Sequence, residues 1–148
     1  MMATITFDGL DEYREQMEEI LRQVPKMVSA SLYEGAGVLA DAVQQEIVGL
    51  KELEPSQRRG LQNGLGVARF WQENGATVTK IGFDGYNTRR TKRWPNGQPN
   101  ALIARSLIRG TSWRMPNRFT NRAAKNARQK CVGVMRTRFD IELQKHMK

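Results

Sequence analysis

The sequence has one cysteine, Cys131, and one histidine, His146, in 148 residues. A single cysteine excludes an internal disulfide, and two such side chains fall short of the roughly four converging ligands of a zinc site. No apolar run approaches the ~20 residues of a membrane-spanning helix, so no membrane partner is expected. The first residues lack a basic head followed by an apolar stretch. A secretory signal is therefore not expected, and folding in the cytoplasm is. Acidic residues are almost missing after residue 56, where only Glu73, Asp84, Asp140 and Glu142 occur. General acid–base or two-metal chemistry needs paired carboxylates. Glu73 borders a predicted turn, Asp84 precedes a glycine, and Asp140 and Glu142 at i, i+2 do not share a helix face. No Gly-x-Ser-x-Gly elbow is present. Gly64-Leu65-Gly66 lacks the third glycine and the following helix of a phosphate cradle. Catalytic residues, metal ligands and cofactors are thus not expected, and neither is an enzyme.

What is present is charge, unevenly placed. Residues 1–56 carry 11 acidic and 4 basic side chains, a net of −7. Residues 57–148 carry 4 acidic and 20 basic ones, a net of +16, which leaves the whole chain at +9. Such asymmetry has two explanations. Acidic N-terminal helices can lie on a basic C-terminal helix within one subunit. Alternatively, opposite poles meet between subunits, or the basic half faces DNA.

Length and a hydrophobic share of 39% fit one domain with a modest core. Thr4–Phe7 alternates polar and apolar residues, as a short strand does. Asp8 then suits an N-cap, with Asp11 at the capping-box position. Leu10, Tyr13, Met17, Ile20, Leu21 and Val24 recur at helical spacing, and Pro25 interrupts them. A second helix is expected from there to about Gly49, striped by Val28, Leu32, Ala36, Leu39, Val43 and Ile47. Gly35 and Gly37 within it signal either close approach by another element or a kink. Residues 50–64 read as a mobile linker with a short helical turn near 57–62. Leu65–Trp71 and Ala76–Phe83 flank Asn74-Gly75, the signature of a hairpin with a type I′ turn. Thr111–Met115 fits a short strand or an extended connection. A final helix is expected over roughly Phe119–Lys145, with Cys131 on its apolar stripe as a small hydrophobe. The fold class is α+β: two N-terminal helices, a small mostly antiparallel sheet on the 65–83 hairpin, and a long C-terminal helix across it.

The stretch Ile81–Ser112, IGFDGYNTRRTKRWPNGQPNALIARSLIRGTS, is the most informative. It ends a strand, turns at Asp84-Gly85, passes through a cationic loop over 86–99 and enters a short helix over Ala101–Arg109. Arg89, Arg90, Lys92 and Arg93 stand beside Tyr86 and Trp94. Cations interleaved with aromatics bind phosphates and stack on bases, without reading sequence and with strong salt dependence. The same composition also fits a solvated loop that orders on assembly. No helix-turn-helix, zinc-finger or RNP motif accompanies it.

The pattern GFDGYN, a variable basic insert, then GQPNALIARSLIRGTS resembles the gene-product-10 family of HK-97-like tailed phages, tail-completion or neck proteins. The resemblance covers most of the chain. It implies assembly-motif residues at Asp84, Gly85, Tyr86, Asn87, Pro99, Asn100, Arg105, Gly110, Thr111 and Ser112. It also implies a virion structural protein at the head–tail junction, assembled in the host cytoplasm. Its expected partners are further copies in a homo-oligomeric ring, a hexamer being the expected size, other phage neck and tail proteins, and double-stranded DNA passing through the channel. The basic loop would line the lumen, but the insert is variable in that family, so its role does not transfer. The alternative is a free, sequence-nonspecific nucleic-acid-binding protein.

Overall fold

A computed structural model describes residues 8–147, with side chains from residue 11 onward. The strand expected at Thr4–Phe7 and the cap at Asp8 lie outside the described backbone and side chains. Helix α1 spans Asp8–Val48 without a break, where two helices were expected. Proline removes one intrahelical hydrogen bond and crowds the carbonyl four residues back, here that of Leu21. Leu21 and Pro25 are both exposed, so solvent can serve that carbonyl. On either side, Ile20 and Met27 are buried and hold their turns in place. Tertiary packing thus carries the helix through the proline.

Helix α4, Phe119–His146, lies antiparallel along α1. The antiparallel register is marked by two ion pairs, Glu46–Arg122 at 3.2 Å and Glu34–Arg138 at 2.9 Å. Between them the Cys131 thiol donates to the Gly35 carbonyl at 3.3 Å. A Cβ on Gly35 would press into Met135, whereas one on Gly37 would meet nothing within 4 Å. Close approach therefore explains the first glycine and not the second. At the far end, a hydrogen bond from Lys145, supported by Arg138, holds the Glu142 carboxyl below its ordinary pKa.

The segment 50–64, expected as a linker, contains helix α2, Pro55–Gly64, and supplies core residues. Glu54 N–H donates to Gln57 Oε1 at 3.1 Å, half of a capping box, and Pro55 occupies the first helical position. Leu50, Leu53 and Leu61 join Val43, Ile47, Ile103, Leu107, Phe119 and Ala123 in one buried cluster. Each large side chain fully buried there contributes about 1.5–3 kcal/mol. Helix α3, Asn100–Arg109, faces the cluster with Ile103, Ala104 and Leu107. Phe83 reaches it from the hairpin, its ring centroid 6.2 Å from that of Phe119.

The hairpin forms two short ladders rather than one sheet. Strands β2, Trp71–Glu73, and β3, Ala76–Val78, flank the turn, where Asn74 and Gly75 take φ of 52° and 81°. Positive φ at both residues is what the Asn-Gly pair predicts. Strands β1, Leu65–Val67, and β4, Ile81–Phe83, pair farther down. Trp71 stands opposite Val78 and Val67 opposite Ile81. Residues 68–70 on one side therefore face only 79–80 on the other, a one-residue bulge that splits the ladder. Thr79 Oγ1 donates to the Ala68 carbonyl at 2.8 Å across the gap. The strand considered for Thr111–Met115 is instead a tight turn closed by Thr111 N–H to Arg114 O at 2.9 Å.

Candidate assembly and DNA-facing surface

Two asparagines organise the central motif. Asn87 follows the turn at Gly85, and Asn100 opens α3 after Pro99. The Asn87 amide donates to Asn100 Oδ1 at 3.2 Å and to the Gln57 carbonyl at 3.1 Å. The Asn100 amide donates to the Asp84 carbonyl at 2.9 Å, and its backbone N–H to the Gly85 carbonyl at 3.0 Å. Both side chains are buried. Buried amides left without partners cost about 1–3 kcal/mol each, so this satisfied set specifies one arrangement.

Helix α2 forms the floor under the pair. A Cβ at Gly60 would overlap the Asn87 amide, and one at Gly64 would overlap the Asp84 carbonyl and stand 2.6 Å from Asn100 Nδ2. Residues four apart on a helix share a face. The two glycines thus make a flat surface onto which both halves of the motif close. This role escaped sequence reasoning, although the i, i+4 glycine spacing in a ten-residue helix was its signal.

Above the pair, the basic insert leaves and returns as a narrow loop. Tyr86 pairs with Pro99, Asn87 N–H donates to Gln98 O at 2.6 Å, and Gln98 N–H donates to Arg89 O at 3.0 Å. Thr91 and Trp94 close the tip with reciprocal backbone bonds of 3.1 Å. The four cations divide. Arg89 turns back to Glu54 at 3.1 Å. Arg90, Lys92 and Arg93 are exposed and make no ion pair among the described residues. The Arg93 guanidinium lies 5.9 Å from the Trp94 ring centroid. The tip is a compact loop that presents three exposed cations beside one indole ring.

The remaining motif residues serve the exit from α3. Gly110, at φ 76°, donates its N–H to the Ser106 carbonyl at 2.9 Å and closes the helix. Arg105 is exposed on α3, and Thr111 and Ser112 lie in the tight turn. That turn projects Trp113 and Met115, 75% and 85% exposed, with Arg114 4.9 Å from the Trp113 ring. Their exposure was not foreseen from the sequence. Single exposed hydrophobes are ordinary, but an adjacent Trp and Met beside an Arg have the composition of interface anchors.

Among the described residues no group of three or more His, Cys, Asp or Glu side chains is placed to hold a metal ion. No helix there is long and apolar enough to cross a membrane. Comparison with family models, with curated proteins and with solved structures returns no match.

Proposed function

We propose that this chain is a structural protein of a tailed-phage virion. It acts in tail completion or head–tail joining and assembles as a ring around the channel that DNA traverses. The supporting observation is the asparagine clamp. The residues most specific to the resemblance, GFDGYN and GQPN, are the ones that meet through Asn87 and Asn100. A pattern whose two halves are tied by such mutual burial is a built unit, and the unit presents a cationic tip. In the ring, Arg90, Lys92 and Arg93 face the lumen and screen the passing duplex without gripping its sequence. Other neck and tail proteins contact the exposed turn at Trp113 and Met115.

The experiment is electron microscopy of lysates from the parent phage with this gene deleted. Full heads beside separate tails of normal length are expected. Tails that are absent or of uncontrolled length move the role to tail completion or termination. Intact infectious particles overturn the structural role.

A second reading is favoured by the same tip: three unpaired cations with an aromatic beside them also suit a free nucleic-acid-binding protein. Salt-dependent DNA binding by the isolated monomer, together with intact deletion particles, would establish that reading in its place.

A further inference from the structure

Helix α1 is longer than the surface that covers it. Its 41 residues extend about 60 Å at ~1.5 Å each, against about 42 Å for the 28 residues of α4. Continued from the Glu46–Arg122 and Glu34–Arg138 pairs, the antiparallel register brings His146, the last residue of α4, level with the turn of α1 around Val24 and Pro25. Residues 11–18 therefore run past the end of α4, and every one of them is exposed. This arm has an apolar stripe at helical spacing: Tyr13, Met17 and Leu21 are 60%, 39% and 65% exposed. Tyr13 and Met17 continue the face on which Ile20 and Met27 are buried. Glu12 and Glu18 stand on the two sides of the stripe and, with Asp11 and Glu15 on the arm's outer side, make no ion pair among the described residues.

A surface of the opposite character lies on the same chain. Val28, Leu32, Val132, Met135 and Phe139 line an open apolar groove along the α1–α4 seam, with Arg136 among its walls. Lys125, Arg128, Val132 and Arg136 recur at intervals of three and four, so they share one side of α4. The three cations are exposed and have no carboxylate partner among the described residues.

We infer that the occupant of this groove is the α1 arm of a second copy. The stripe supplies Tyr13, Met17 and Leu21 to the apolar walls, and the flanking acids meet Lys125, Arg128 and Arg136. The two surfaces match in both polarity and charge, which sets partner and orientation together. They are different patches of one chain, so the contact can be exchanged reciprocally by two copies or repeated from copy to copy. This inference deepens the assembly role proposed above, and rests on it for taking the partner to be another copy.

The test uses sedimentation of the purified full-length chain at low and high salt, with two charge-reversed variants. Glu12→Lys/Glu18→Lys alters the arm, and Arg128→Glu/Arg136→Glu alters the groove. The unaltered chain is expected to associate at low salt and to dissociate as salt rises. Each variant alone is expected to lose about tenfold or more in association. Mixing the two restores it, because a basic arm then meets an acidic groove. Restoration also shows that both variants fold. A chain monomeric at all concentrations and salts, variants that associate like the parent, or a mixture that stays monomeric overturns the contact. If deletion particles still lack joined tails in any of these cases, only this contact falls. If particles are intact while the purified chain associates as expected, only the neck role falls.

Discussion

Asn87 and Asn100 meet side chain to side chain, Nδ2 to Oδ1 at 3.2 Å, across the whole basic insert. Removing either leaves the other's polar atoms buried and short of a partner. Asn100→Ala is expected to cost about 1–3 kcal/mol, read as a lower urea midpoint. An unchanged midpoint would show that the pair is incidental to the fold.

Glycine-to-alanine exchanges in helices should change sign with position. Gly37→Ala, where nothing stands within 4 Å, is expected to stabilise by about 0.5–1 kcal/mol. Gly64→Ala meets the Asp84 carbonyl and the Asn100 amide, and overpacking of that kind costs about 1–3 kcal/mol. Thermal unfolding of the two variants side by side decides the matter. Stabilisation in both would mean that α2 does not press on the motif.

Pro25 interrupts hydrogen bonding in a continuous helix while itself exposed. Pro25→Ala should raise the melting temperature, with a gain of up to about 3 kcal/mol. A loss of stability would instead indicate that α1 needs a bend at that point.

The loop cations should differ in their contribution to DNA affinity. Replacing Arg90, Lys92 and Arg93 by alanine is expected to flatten the salt dependence of DNA binding by about 0.9 in logarithmic slope for each phosphate no longer neutralised. Arg89→Ala should leave the slope nearly unchanged, since Arg89 is already paired with Glu54. Equal effects from all four would place Arg89 at the binding surface too. In particles, neutralising all four together should impair DNA retention or passage, and unchanged infectivity would exclude a lumen role.

The sequence is most legible where local chemistry decides the structure. Asn74-Gly75 accounts for the hairpin turn, Pro99-Asn100 for the start of α3, and the apolar spacing after Phe119 for α4. It is least legible where distant packing overrides local preference. Pro25 alone argues for a break, but burial of Ile20 and Met27 on either side of it holds the helix together. Pro55, Gly60 and Gly64 alone suggest a linker, yet two of these are the flat seat of the asparagine pair. The hairpin bulge was illegible because register depends on cross-strand pairing. For the candidate surface, the cations could be read from residue type alone. The diversion of Arg89 to Glu54 could not, since 35 positions separate the two residues.

The insert enters and leaves the body at adjacent points, with Tyr86 paired to Pro99 and the asparagines sealing the base below. What lies between is therefore a replaceable cassette. Doubling its length would cost only about 0.6 kcal/mol in closure entropy, and no core side chain would have to move. The tip can thus change in length and charge while the domain beneath stays the same.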